Sequence, residues 1–174
     1  MRIIAGEFKS RILKDPKSKR THPMSEKIRG ALFNSLGDIT DKTFLDAFSG
    51  TGSVAIEALS RGAVDVHAVD VNPDAFDTLK HNRDLVTDDS RLQVHRANVK
   101  VWLRNVDKQF DIIVADPPYD AVSMNTLDVV AEYVGKNGIL IISLPIAENY
   151  KKPGLKLIDE KRYGNAKLAF YCNK

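Results

Sequence analysis

Cysteine is nearly absent: Cys172 stands alone, so no internal disulfide can form, and its place in a C-terminal apolar run reads as core filling. Long apolar runs are missing as well. The longest aliphatic stretch, residues 138–142 with its neighbours, falls far short of the roughly 20 residues that cross a membrane. The amino terminus also lacks a signal-peptide apolar region. No membrane partner is therefore expected, and the cytoplasm is the expected compartment. The histidines His22, His67, His81 and His95 show no metal-ligand spacing, and no metal is expected. Internal repeats and linkers are absent. What remains is 174 residues, 43% hydrophobic and 28% charged, which suits one globular domain, expected as a monomer.

A strong net charge is also missing, since the total is only +3, but its distribution is uneven. Residues 1–29 carry nine Lys/Arg against Glu7, Asp15 and Glu26, a net of +6. Residues 151–174 carry seven against Asp159 and Glu160, a net of +5, which leaves residues 30–150 at −8. Two solvated basic surfaces would explain this. So would a phosphate-binding rim around a nucleotide-like site.

From Thr43 onward, strand and helix patterns alternate. Strands are expected at Phe44 to Phe48, Val66 to Asp70, Leu92 to His95, Ile112 to Ala115 and Ile139 to Ser143. Helices are expected from Ser53, from Pro73, around Trp102 and from Met124. The alternation predicts an α/β fold with a doubly wound, mostly parallel sheet. Leu155 to Asp159 and Ala166 to Tyr171, split by Tyr163-Gly164-Asn165, predict an antiparallel hairpin at one edge. Ahead of the alternating region, Arg2 to Gly6 and Arg11 to Leu13 read as a short basic hairpin appended to the fold. Ser25 caps an expected helix with Ile28, Ala31, Leu32 and Leu36 on its apolar side, Arg29 on the other, and its end at Gly37. Trp102, with Val99, Leu103 and Val106 at helical spacing, reads as core.

Asp116-Pro117-Pro118-Tyr119 follows an apolar strand, which places it at a carboxyl end where open α/β sheets hold their chemistry. The prolines cannot continue a ladder, so their carbonyls are free to accept. Asp116 adds a carboxylate and Tyr119 a flat face. Together they suit a planar ring with an exocyclic amine, and a plain Pro-Pro turn is the rival reading.

Leu45 to Gly52 joins the first strand of the alternating region to its helix, and Gly50 and Gly52 would let the turn be tight and the backbone approach a ligand. Gly50-Thr51-Gly52-Ser53-Val54-Ala55 also fits the dinucleotide pattern of a nicotinamide oxidoreductase. Against that reading, Asp46 beside the turn would repel a pyrophosphate but attract the cationic amine of S-adenosylmethionine. The chain also has no room for a second substrate domain. Asp70, 24 residues after Asp46, suits ribose hydroxyls. Asn98 could donate and accept at an adenine edge, or simply cap a helix.

Arg2-Ile3-Ile4-Ala5-Gly6, Arg29 to Asn34, Leu45 to Gly52 with Glu57 to Ala63, and Asp116 to Tyr119 resemble, in order, the bacterial 16S ribosomal RNA guanine-N2 methyltransferase family. The resemblance implies a Rossmann-like class I methyltransferase that uses S-adenosylmethionine, with a seven-stranded sheet. It implies a basic arm over residues 1–22 and a methyltransferase domain over 23–174. Asp46, Phe48, Gly50 and Gly52 would form the methionine-end loop, Asp70 and Val71 the ribose end, Asn98 and Val99 the adenine contact, and Asp116, Pro117, Pro118 and Tyr119 the target-base site. The expected partner is 16S rRNA or the small ribosomal subunit, with Lys9, Arg11, Lys14, Arg20 and Arg29 as phosphate contacts. The chain departs from the family at Ala5-Gly6, Lys9-Ser10-Arg11, His22-Pro23-Met24 and Gly30, all on the side expected to face RNA.

An exocyclic amine is a weak nucleophile, and bonds from its N–H groups to Asp116 and the Pro117 carbonyl would favour a pyramidal nitrogen aimed at the methyl donor. With an ordinary pKa near 4, Asp116 is too weak a base to deprotonate the amine first. The same tetrapeptide could hold adenine N6 in DNA or RNA. A non-catalytic nucleic-acid-binding module is the remaining alternative.

Overall fold

The computed structural model describes residues 1–16, 24–87, 90–120 and 122–174. Seven strands form one sheet: β1 (Thr43–Asp46), β2 (Asp65–Asp70), β3 (Leu92–Arg96), β4 (Phe110–Ala115), β5 (Val134–Pro145), β6 (Leu155–Tyr163) and β7 (Ala166–Asn173). Their order is β3-β2-β1-β4-β5-β7-β6. The first five are mutually parallel and β7 is antiparallel to both its neighbours. Five helices accompany them: α1 (Glu26–Leu36), α2 (Ser53–Ser60), α3 (Pro73–Val86), α4 (Val99–Leu103) and α5 (Met124–Glu132).

Successive strand residues point to opposite faces, and the sheet therefore feeds two cores. Phe44, Val66 and Ile112 enter the core beneath α1, α2 and α3, whereas Leu45, Val69 and Ile113 enter the one beneath α4 and α5. Burial on both faces explains the nearly continuous apolar reading of β4. β1 is pinned to β4 by Asp111, whose carboxylate accepts from the Thr43 N–H at 2.9 Å and hydroxyl at 3.0 Å. In return Thr43 Oγ1 accepts from the Asp111 N–H.

The edge hairpin turns at Gly164, with φ 60°, and Asn165, and Tyr163 pairs with Ala166. β5 begins five residues before the expected Ile139. Trp102 packs beside the second core, against His95 at 4.7 Å between ring centres. Cys172 is only half-buried.

The amino-terminal arm is not appended. Arg2 and Ile12 form an isolated antiparallel bridge, while Ile3, Phe8 and Leu13 are buried in the first core. Gly6 has φ +84° and lies so close to α2 that a Cβ there would sit 1.7 Å from the Ser60 carbonyl oxygen. Ser60 also donates its hydroxyl to the Ala5 carbonyl and accepts from the Phe8 N–H. The expected boundary at residue 22 lies outside the described residues.

Ser25 caps α1 and Gly37 ends it, as its sequence predicts. Arg29, however, does not face solvent. It shares the buried stripe with Leu32 and Phe33, because Glu57 of α2, itself fully buried, supplies a carboxylate beneath the helix. Among the described residues no helix is long and apolar enough to cross a membrane.

Candidate active site

The carboxyl ends of the parallel strands open into a cleft of about 1420 Å³. Asp46 ends β1 and is almost fully buried. Beyond it the chain makes a sharp turn: the Ser49 hydroxyl donates back to the Asp46 carbonyl at 2.8 Å, and the Gly52 N–H to the Ser49 carbonyl at 2.8 Å. The turn places Gly50 at φ 54° and Gly52 at φ 78°, a left-handed region that favours glycine. The two glycines serve different ends. Gly50 lines the cleft, but Gly52 does not; a Cβ on Gly52 would meet Leu79 of α3 at 2.3 Å, so its smallness serves packing rather than ligand approach.

Three acids converge here. Asp46 Oδ2 accepts from the Ala55 N–H at 3.1 Å, the first turn of α2. Burial, and then the charge of Asp116, push the Asp46 carboxyl up to about 8. Asp70 ends β2; its Oδ2 accepts from the Gly50 N–H and its Oδ1 from the Asn72 N–H, each at 2.8 Å. Burial raises it too. Asp116 follows β4, and burial raises its carboxyl against the opposing effect of a hydrogen bond from Ser143. The ordinary value near 4 expected from the sequence therefore does not hold, because the end of β4 is desolvated. Among the described residues no Lys or Arg forms an ion pair with any of the three.

The remaining cofactor candidates line the same cleft: Phe48 on the turn, Val71 after β2, and Asn98 and Val99 after β3. Val71 is 63% exposed and offers a bare apolar surface next to Asp70. Asn98 is the cap of α4, and its Oδ1 accepts from the N–H groups of Lys100 and Val101. Its carbonyl is therefore committed to the helix, and the amide NH₂ is the part left for a ligand.

Pro117 is buried and Pro118 exposed. Tyr119 shows 40% of its surface, and its hydroxyl lies 2.7 Å from Ser143 Oγ. Ser143 is missing from the sequence-based site. The available signal is one hydroxyl after the apolar residues 139–142; pairing of Ala115 with Ile142 sets the next residue, Ser143, level with Asp116. The opposite wall also escapes sequence reading. Met24 and Ser25 just ahead of α1, Ile28 within it, and Tyr163, Asn165 and Lys167 of the hairpin close the cleft from elements far apart in the chain.

The basic candidates divide. Lys9 is exposed, and the backbone N–H of Lys14 is held by Asn82 while its side chain is exposed. Arg11 is exposed but donates to the Val86 carbonyl at 2.9 Å. Arg20 lies outside the described residues. Arg29 is no phosphate contact: it is fully buried, pairs with Glu57, and donates to the carbonyls of Met24 and Arg2. Among the described residues no group of three or more His, Cys, Asp or Glu is arranged to hold a metal ion.

Residues 1–172 match the family described as Conserved hypothetical protein 95. A Buchnera aphidicola protein named Ribosomal RNA small subunit methyltransferase D is 34% identical over 123 residues, 68% of this chain and 61% of the relative. The chain thus spans about three fifths of that relative's length. A Cytophaga hutchinsonii protein named tRNA1(Val) (adenine(37)-N6)-methyltransferase is 31% identical over 97 residues, 55% of this chain and 41% of the relative. The solved structure of the Escherichia coli protein yhhF superposes with a TM-score of 0.88 at 23% identity, covering 100% of this chain and 98% of the other, which establishes a shared fold.

Proposed function

The chain belongs to the Conserved hypothetical protein 95 family, and on that premise we propose that it methylates an exocyclic purine amine, the N2 of a guanine, in small-subunit ribosomal RNA with S-adenosylmethionine as donor. One observation carries the reading: Asp46, buried, and Asp116, half-buried, two acids without basic partners among the described residues, face one cleft on which an exposed tyrosine also opens.

The residues suit that cofactor. Asp46 would hold the methionine amine, whose positive charge supplies the counterion the buried carboxyl lacks. Asp70, Val71 and the Gly50 backbone would hold the ribose, and Asn98 and Val99 the adenine. A dinucleotide would bring a pyrophosphate against the same acids, which argues against the oxidoreductase reading. When bound, S-adenosylmethionine supplies an electrophilic methyl group. The cleft exceeds the roughly 300 to 1,000 Å³ of ordinary ligand pockets, which leaves room for a base beside a cofactor.

Asp116 and the Pro117 carbonyl would accept from the target amine and set its lone pair. The raised pKa of Asp116 strengthens it as a late proton acceptor, still well short of deprotonating a neutral arylamine in advance. The Tyr119 ring would stack on the base, a contact of about 1 to 3 kcal/mol. The similarity to the Buchnera protein favours small-subunit rRNA, and the guanine choice follows the resemblance of the motifs. Adenine N6 is the second reading, supported by the Cytophaga relative and by a tetrapeptide that suits either purine amine.

Methyl transfer assayed on small ribosomal subunits, protein-free rRNA and DNA, with nucleoside mass spectrometry, separates them. N2-methylguanine from rRNA is the expected product; N6-methyladenine would replace the guanine assignment, and no methyl transfer to any substrate would remove the reading.

A further inference from the structure

Ser143 lies between both chemical ends of the tetrapeptide, bonded to one and level with the other. It sits on β5 beside β4, 4% exposed, with its oxygen 2.7 Å from the Tyr119 hydroxyl oxygen. Its hydroxyl also shares the cleft wall with the Asp116 carboxyl, one strand away at the same level, and favours the charged form of that carboxyl. A hydroxyl carries one proton and two lone pairs, so it can donate to one partner and accept from another at once. With Asp116 ionised, Tyr119 can donate to Ser143 and Ser143 to the carboxylate. With Asp116 protonated, the carboxyl can donate to Ser143 and Ser143 to the phenol oxygen. Rotation of the O–H bonds satisfies the buried groups in either state, which no aliphatic residue could do.

We propose that Ser143 is a positioning residue for methyl transfer, its hydroxyl tying the Tyr119 ring and the Asp116 carboxyl into one rigid acceptor for the target amine. The inference rests on the methyl-transfer reading above and adds a residue to it. The proton lost by the amine nitrogen goes to the Asp116 carboxylate, Ser143 turns to accept from it, and Asp116 later releases it to water. Ser143 itself neither gains nor loses a proton. It also holds Tyr119 by its hydroxyl, which leaves the ring face for stacking and removes one rotation that the base would otherwise have to freeze.

The other titratable groups lining the cleft with Asp116 are Asp46 from β1, Asp70 from β2, Tyr119 and Asp120 on its own segment, Tyr163 from β6, and Lys167 from β7, which is paired with Glu160 at 3.1 Å. Ser143→Ala adds or removes no charge among these. Its effect on Asp116 therefore isolates the hydroxyl.

The test compares wild type, Ser143→Ala and Ser143→Thr in two ways. First, carbon NMR of labelled aspartate carboxyls follows the titration of Asp116 in protein without RNA. Ser143→Ala should move its midpoint to higher pH, because a bond favouring the charged form is gone, and Ser143→Thr should move it back. Second, rRNA methylation should fall about ten- to a hundredfold in kcat for Ser143→Ala, with its acidic limb shifted the same way, KM little changed, and most activity restored by Ser143→Thr. Ser143→Ala should also cost less in a Tyr119→Phe background, since the two act through one bond. An unmoved Asp116 midpoint would overturn the proposal, as would a loss of kcat that threonine fails to rescue. Should the wild type methylate nothing, the functional reading falls while the titration still decides the Ser143 link.

Discussion

Arg29 and Glu57 stand 3.6 Å apart, and neither side chain reaches solvent. Glu57 also accepts from the N–H groups of Ile4 and Ala5 and pairs with Arg61 at 2.8 Å, so one carboxylate joins the arm, α1 and α2. Arg29 Nε makes no hydrogen bond and has only the ionic contact. Removing one member of a buried pair leaves the other charge uncompensated, at a cost of about 3 to 5 kcal/mol. Arg61 offsets part of this. Arg29→Met should lower stability by about 3 kcal/mol in urea unfolding and leave the salt dependence of RNA binding unchanged. Normal stability with weakened RNA binding would return Arg29 to the RNA face.

Gly6 and Gly37 both adopt positive φ, but their surroundings differ. A Cβ at Gly6 collides with the Ser60 backbone, whereas nothing lies within 4 Å at Gly37. Gly37→Ala should cost about 1 to 3 kcal/mol from backbone conformation alone, since φ 72° with ψ −135° suits almost no residue but glycine. Gly6→Ala adds overpacking and should cost about 3 kcal/mol or more, and equal melting shifts for the two would refute the close docking of the arm.

Asn82, fully buried in α3, accepts from the Lys14 N–H at 2.7 Å and donates to the carbonyls of Lys14 and Thr51. It ties the arm to the glycine turn. Asn82→Ala leaves three backbone groups short of a partner and should cost about 2 to 4 kcal/mol. Hydrogen exchange should speed up at Lys14 in particular; unchanged protection there would deny the clamp.

The three cleft acids set a pH dependence. For Asp46, with an ordinary value of 3.8 and a folded value of about 8, the folded protein binds more protons than the unfolded chain between those limits. Stability from this source is therefore fully present below about 4 and is lost as pH rises through about 8. Asp70 and Asp116, also raised, act with the same sign. Thermal melts of cofactor-free protein should fall over this range, Asp46→Asn should flatten the fall, and saturating S-adenosylmethionine should flatten it in the wild type. A melting temperature that climbs from pH 5 to 8 would contradict the buried-acid account.

Among the described residues Lys9, Lys14 and Arg11 are exposed arm cations with no side-chain ion pair, and of these Arg11 is held by the Val86 carbonyl. Lys9→Ala should weaken rRNA binding and reduce the slope of log affinity against log salt by about one, and Lys14→Ala likewise. An unaltered slope in both would move the RNA to another face.

Much of this molecule is legible locally. The alternation of apolar runs predicts β1 to β5, the Ser25 and Gly37 signals bound α1 correctly, and the residues around Gly50 and Asp116 fall at strand ends as their patterns require. Such features depend on backbone conformation and side-chain period within a few residues, so the sequence alone suffices for them. Arg29 shows where that logic ends. Its helical position is readable, but whether a guanidinium faces water or a buried carboxylate depends on Glu57, 28 residues later and on another helix. The same holds for Ser143 against Tyr119, for the arm against Ser60, and for Asp46, raised by burial and by the charges of Asp116 and Asp70 from neighbouring strands. Packing decided those, because desolvation and pairing depend on which groups the folded chain brings within a few ångströms, and no local period encodes that distance.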